Sequence, residues 1–388
     1  MNLLKKFLSY IIIYFFNSFP IKKNKVFMFS YYGSQYGCNP KYITEYVLQQ
    51  DASKFDIVWA FNNPEAHNIP PKIRKVKVMS IKYFYELCTS KIIITNFRTT
   101  DLFVKRKSQY YIQTWHSSMR LKQIEKDAEA TLPEHYVKMA KHDSKKCDLL
   151  ISGCENSTDI FRRSYWYDGK IFKHGTPRND LLFGERSGCN LVKRKLNLSV
   201  NTKVLLYAPT FRGKNDTSVY DLDYPQLRQS LTQRFGGEWT IIVKFHPHLL
   251  SLKDEQMGEG VINVTEYSDI QELLFISDAL ITDYSSLMFD YAITKRPCFL
   301  YVPDLKEYMM KDRKLYFNVE ELPFVKAASN HELTKRIEKF EENHYQDELK
   351  LFLEKIGSYE QGQASEQVVN QMEGICFSEK GGEVYEAI

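Results

Sequence analysis

The pattern that most limits how this chain can fold is an alternation that runs, stops and starts again. A short apolar run is followed by a polar turn and then an amphipathic helical stretch. Apolar runs at 26–29, 55–61, 91–95, 110–115, 148–152 and 171–174 read as strands, with helical patterns at 41–50 and 155–165. The alternation restarts with strands at 204–208, 240–245, 261–264, 279–282 and 298–302, and with helices at 268–277 and 287–295. Such alternation predicts a parallel sheet covered by helices on both faces. Two runs of it in 388 residues predict an α/β protein of two doubly wound, Rossmann-like domains facing a cleft. The expected division is a membrane-associated helix at 1–24, a first domain at 25–185, a second at 190–375 and a tail at 376–388. The polar stretch 183–199, with Gly184 and Gly188, reads as the linker, and 330–356 as charged C-terminal helices.

The apolar stretch from Phe7 to Ile21 contains Ser9, Asn17, Ser18 and Pro20. It is short of the roughly 20 apolar residues that a spanning helix needs. Lys5 and Lys6 precede it, and Lys22, Lys23 and Lys25 follow. No small-residue cleavage site follows, which argues against a secretory signal. A buried first helix is one reading. The preferred one is an interfacial helix, with its lysines on the phosphates of an anionic membrane surface and its rings at the acyl boundary.

Composition excludes several classes. The net charge of +5 is mild and lies on no one stretch, so nucleic acid is not an expected partner. The seven cysteines show no C-x-x-C spacing and read as reduced thiols. A P-loop and a G-x-G-x-x-G fingerprint are both missing, which argues against ATP hydrolysis and NAD chemistry. The pair Asp221 and Asp223 sits in a polar loop and is taken as coincidence, and His246-x-His248 has no evident third ligand. No metal and no cofactor are expected.

Five motifs lie at predicted strand ends, where ligands bind in open α/β sheets. His116, in Gln113-Thr114-Trp115-His116-Ser117-Ser118, can take a proton near neutral pH; the plain alternative is a helix start capped by a serine. Arg178, in His174-Gly175-Thr176-Pro177-Arg178-Asn179-Asp180, suits a phosphate; the alternative is a surface pair with Asp180. Thr210 and Arg212 end the first strand of the second half, the alternative being a plain strand-to-loop turn with Arg212 in solvent, and Lys244 and His246 precede Pro247. All four can donate to phosphate oxygens. Ser285 and Ser286 follow Asp283 at the start of a predicted helix, where hydroxyls and free N–H groups make an anion site. Asp283 or Ser285 would also cap that helix. Asp290 could reach a ribose or a base edge, or form a salt bridge.

In this order and spacing the motifs resemble the CDP-glycerol glycerophosphotransferase family, from about Lys25 to Gln371. Pro297–Leu300 and Gly362-Gln363-Ala364-Ser365 look like its closing segments. The resemblance implies a GT-B-like fold, an acceptor-side first domain, a CDP-donor-binding second domain and peripheral attachment at the cytoplasmic face of the membrane. It implies transfer of glycerol phosphate, or a related alditol phosphate, from CDP-glycerol or CDP-ribitol to a lipid-linked teichoic acid or capsule acceptor, with release of CMP. By the same mapping His116 is the catalytic base and His246 the donor-phosphate histidine. Arg178, Thr210, Arg212, Lys244, Ser285, Ser286 and Asp290 then fall in the donor pocket. One departure stands out: Ser117-Ser118-Met119 follows Trp-His, where the family usually has Gly-Thr-Pro. The rival readings are a GT-B glycosyltransferase using a nucleotide sugar, and a membrane scaffold without catalysis.

Overall fold

The structure is a computed structural model that describes residues 3–212, 218–245, 258–311 and 314–378. The chain divides into two compact units. One comprises Met1–Ser118, Ile124–Asp180 and Tyr359–Ile388, and the other Met119–Gln123 and Leu181–Ser358.

The first unit is built on β1 (Lys22–Phe29), β2 (Asp56–Phe61), β3 (Arg74–Lys77), β4 (Ser90–Thr95), β5 (Tyr110–Gln113), β6 (Leu149–Ile151) and β7 (Lys170–Phe172). They form one sheet in the order β3-β2-β1-β4-β5-β6-β7, and every pairing is parallel. The second unit holds β8 (Lys203–Tyr207), β9 (Trp239–Val243), β10 (Val261–Asn263), β11 (Ala279–Thr282), β12 (Cys298–Tyr301) and β13 (Val325–Ala327). Their order is β10-β9-β8-β11-β12-β13, again all parallel. Each sheet therefore reverses its winding at its first strand, β1 or β8.

The central strands read as unbroken apolar runs because helices cover both sheet faces. Val26, Phe27 and Met28 are fully buried, as are Leu205 and Leu206. The edge strands β3 (RKVK) and β13 (VKA) are absent from the sequence expectation. Charge on an edge strand blocks further pairing and also hides the strand from a search for apolar runs.

Two expected boundaries differ from the structure. The chain passes to the second unit at Leu181, so residues 183–199, read as the linker, lie within that unit. They contain a helix, Cys189–Lys195, whose Cys189 and Val192 are buried and which packs on the helix Ile270–Ile276. The second domain also ends earlier than 375. The last helix, Ala364–Phe377, belongs to the first unit, where Val368, Val369 and Met372 share a core with Val26, Ile43 and Trp59. Its start is held by Asp180, whose carboxylate accepts the N–H groups of Ala364 (3.0 Å) and Ser365 (2.7 Å). The motif residue Asp180 and the closing segment are thus two halves of one contact.

The first helix, α1 (Leu3–Asn17), lies on the helix Ile81–Thr89. Ile13 is buried there, and the Phe16 ring meets Tyr85 edge-on at 5.4 Å. All seven cysteines are free and buried.

Loss of a helix cap of this type costs about 1–2 kcal/mol. Asp180→Ala is therefore expected to lower unfolding free energy by that amount in urea titration, with the far-ultraviolet spectrum otherwise intact.

Candidate functional site

In the first unit the loops after β1, β4 and β5 meet where the sheet reverses. The loop after β1 leaves through three successive residues in the left-handed region, Tyr31 (φ 45°), Tyr32 (φ 55°) and Gly33 (φ 83°). A Cβ on Gly33 would come within 2.8 Å of the Val78 side chain, so a glycine is needed there. Asn96, just past β4, ties this loop down: its Oδ1 accepts the Tyr31 N–H at 3.0 Å. The Asn96 carbonyl lies 3.1 Å from His116 Nδ1. A carbonyl oxygen can only accept, so Nδ1 carries the hydrogen and Nε2 is the basic nitrogen.

β5 ends at Gln113, two residues before the sequence expectation, because Trp115 turns to φ 52°. A bulky residue rarely takes this conformation and needs outside support. Gln113 Oε1 accepts the Trp115 N–H at 2.9 Å. Asn39 Nδ2 donates to the carbonyls of Thr114 and Trp115, each at 3.0 Å. The buried Trp115 ring packs edge-on against Tyr165 at 5.3 Å, and the exposed His116 ring stacks on Trp115 at 4.5 Å. Tyr165 in turn lies under the Arg98 guanidinium at 3.5 Å. Arg98 is held by Glu125 (3.2 Å) and Asp143 (3.3 Å), all three buried.

Ser117 and Ser118 are buried and begin no helix. The Ser118 carbonyl accepts from Ser157 Oγ at 2.7 Å, and its side chain lies against Gly153, where a Cβ would sit 2.4 Å from Ser118 Oγ. The motif around Arg178 is also turned inward. Arg178 is 4% exposed; its N–H donates to Asn39 Oδ1 at 3.0 Å, and its Nη1 lies 3.8 Å from Cys38 Sγ at the start of the helix Cys38–Asp51. Thr176 and Asn179 hydrogen-bond to the Glu360 carboxylate.

In the second unit the same reversal brings the loops after β8 and β11 together. Asp283 accepts from the Thr210 N–H through both oxygens (2.9 Å each) and from Thr210 Oγ1 (2.6 Å). It clamps the neighbouring loop instead of capping the helix that follows. Asp223, in contrast, caps its helix by accepting from Gln226 N at 3.0 Å. The Arg212 side chain is only 7% exposed and ion-paired to Asp283 and to Asp304 (2.9 Å). Burial opposes its charge, but Asp283 and then Asp304 outweigh it and push the guanidinium pKa up. Arg212 also faces the Tyr284 ring at 4.7 Å, and Tyr284 stacks on Tyr308 at 3.7 Å.

Ser285 Oγ accepts the Leu287 N–H at 3.3 Å, and Ser286 Oγ accepts that of Leu121 at 3.4 Å; both serines are half-buried. Lys244 Nζ donates to the carbonyls of Thr265 (3.0 Å) and Tyr267 (2.6 Å), and burial brings its pKa down to about 8. Asp290 is fully buried and accepts from Gln271 Nε2 at 3.4 Å, away from a surface salt bridge. His246 and His248 lie outside the described residues. Among the described residues, no three His, Cys, Asp or Glu side chains converge as metal ligands.

Asn39, Asn96, Glu360 and Asp304 organise these loops and were not picked from sequence. An Asn before proline (Asn39) and an Asn ending an apolar run (Asn96) are visible turn signals, but neither reveals its partner.

Two open parallel sheets of the same strand order, each with polar loops gathered at its reversal, define a GT-B-like protein. The chain belongs to the CDP-Glycerol:Poly(glycerophosphate) glycerophosphotransferase family, whose model matches residues 11–374. It is 32% identical over 363 residues to a teichoic acid poly(glycerol phosphate) polymerase of Staphylococcus epidermidis, covering 90% of this chain and 50% of that protein. It is also 32% identical over 368 residues to a teichoic acid glycerol-phosphate transferase of Staphylococcus aureus, covering 89% and 92%. The chain thus spans about half the length of the first relative and nearly all of the second. The solved wall teichoic acid polymerase TagF superposes with a TM-score of 0.83 at 29% identity, covering 95% of this chain and 93% of that one. A histidine variant of TagF soaked with CDPG gives 0.81 at 30%, covering 92% and 90%.

Asp283→Ala would leave Arg212 buried beside one carboxylate in place of two. Breaking a buried ion pair in this way costs about 3–5 kcal/mol, a loss that calorimetric unfolding of the second unit would show. Lys244 provides a pH signature. Its folded pKa lies below its unfolded value of 10.5, so above pH 8 the unfolded chain binds more protons there. Stability should therefore gain a rising contribution between about pH 8 and pH 10.5, and Lys244→Met should flatten it in denaturant titrations.

Proposed function

We propose that this chain transfers glycerol phosphate, or a related alditol phosphate, from a CDP-activated donor to a hydroxyl of a lipid-linked teichoic acid or capsular acceptor. The first unit is the acceptor side and the second the donor side. The observation that carries this reading is His116, exposed at the reversal of a parallel sheet with Nδ1 turned to the Asn96 carbonyl. Nε2 of such a histidine can accept the proton of an attacking hydroxyl. As that proton leaves, the hydroxyl oxygen bonds to the alditol-bearing phosphorus. The bond from this phosphorus to the bridging oxygen breaks, and CMP departs with the electron pair.

Charge growing on the leaving phosphate needs fixed donors. Ser285, Ser286 and Lys244, with His246, are assigned to it, while Thr210, whose N–H and hydroxyl are both given to Asp283, fixes the loop beside them. Arg212 is taken up by Asp283 and Asp304, so it shapes the loop beneath the diphosphate. Arg178 and Asp290 are buried supports of the same kind. The family and the TagF variant soaked with CDPG support a cytidine diphosphate donor.

The reading includes attachment to an anionic membrane surface at its cytoplasmic face. Among the described residues no helix is long and apolar enough to cross a membrane. On α1, however, Leu4, Phe7, Leu8, Ile11, Tyr14 and Phe15 point outward, Phe7 at 64% and Phe15 at 60% exposure. Their spacing of three and four residues makes one apolar stripe, with Lys5 and Lys6 in the first turn of the helix.

The assay is CMP release from CDP-glycerol and from CDP-ribitol with a lipid-linked acceptor. Removing a general base costs about 10²–10⁴-fold in rate, so His116→Ala should fall by that factor; turnover at the parent rate would end the base assignment. Replacing Phe7, Ile11 and Phe15 by serine should abolish co-sedimentation with anionic vesicles while CMP release from a water-soluble acceptor analogue persists.

A further inference from the structure

Asn39 is fully buried, yet no part of the chemistry above uses it. Each of its polar atoms is spent on the loops that carry the candidate site. Nδ2 has two hydrogens and donates to two consecutive carbonyls, Thr114 O and Trp115 O, at 3.0 Å each. Oδ1 accepts the Arg178 N–H, also at 3.0 Å. The reverse amide orientation is excluded, because it would face an oxygen to two carbonyls and an NH₂ to an N–H. A carboxylate of the same shape could serve only one side of this arrangement.

The carbonyls that Asn39 grips lie on either side of the left-handed turn at Trp115 (φ 52°). That turn sets the direction of the next residue, His116, and Trp115 supplies the surface on which the His116 ring stacks. We propose that Asn39 is a positioning residue: it holds Trp115 in its left-handed conformation and so keeps His116 Nδ1 on the Asn96 carbonyl and Nε2 toward the acceptor hydroxyl. Through Oδ1 it fixes the Arg178 loop in the same register. This inference rests on the reading of His116 as the base.

The test uses the full chain and two readouts. Long-range proton–nitrogen spectra of ¹⁵N-histidine-labelled protein, with His116 assigned through His116→Gln, report which ring nitrogen carries hydrogen. Parent protein should show the Nδ1–H form. Asn39→Asp keeps the shape and the acceptor for Arg178 but removes both donors. It should give a mixed or reversed tautomer and lower kcat for CMP release by about 100-fold, the scale of an ångström-size misplacement. KM for CDP-glycerol should stay within about twofold, since the donor side is untouched. Asn39→Ser, which keeps one donor hydrogen, should fall between the two, and it carries the test if the aspartate variant does not fold.

A variant that folds and keeps both the parent His116 signals and the parent kcat overturns the inference. An equal fall in kcat with unchanged His116 signals overturns it as well, because the defect would then lie elsewhere. The base assignment fails separately, through full turnover by His116→Gln. In that case Asn39→Asp would still move the histidine signals but leave the rate alone.

Discussion

A parallel sheet that reverses its winding leaves two neighbouring strands whose following loops run in opposite directions. Their backbone N–H and C=O groups lose the sheet as a partner at that point, and buried polar groups of this kind must be satisfied by other means. Both units meet this constraint with a short polar side chain from one loop placed against the backbone of the other. In the first unit Asn96 takes the Tyr31 N–H, and in the second Asp283 takes the Thr210 N–H. The shapes of both candidate sites follow from these two clamps.

The clamps differ in charge, and with it in consequence. Around Asn96 and Asn39 the partners are neutral backbone N–H and carbonyl groups, and these support the left-handed Trp115 turn. Around Asp283 the carboxylate draws in Arg212, which brings Asp304 and the stacked Tyr284 and Tyr308 with it. An ion pair this deeply buried has to be complete, since either partner alone would cost more than the pair contributes. This is why an arginine that suits a phosphate by its chemistry is engaged within its own unit.

The departure at Ser117-Ser118 also has a physical counterpart. Both serines are packed inward, and the Ser118 side chain occupies the space that a Cβ on Gly153 would need. The closing segment shows a similar economy: Glu360 receives Thr176 and Asn179, and Asp180 receives the start of the last helix. Residues of the motif His174–Asp180 prove to be the dock for a segment 184 positions away.

Sequence by itself determined the two parallel-sheet domains, eleven of the thirteen strands among the described residues, and the placement of the polar motifs at strand ends. These are local properties, because apolar period, strand length and turn residues act within a few positions of one another. Residues 183–199 escaped the same reading because their few buried apolar side chains are scattered among charges. Only the tertiary structure decided which unit owns the last helix, that Asp283 clamps a loop while Asp223 caps a helix, and that Asn39 supports the turn before His116. Each of these depends on which distant group meets a given polar side chain. A short Asn or Asp can satisfy many backbone partners equally well, so its choice is made by the fold that surrounds it.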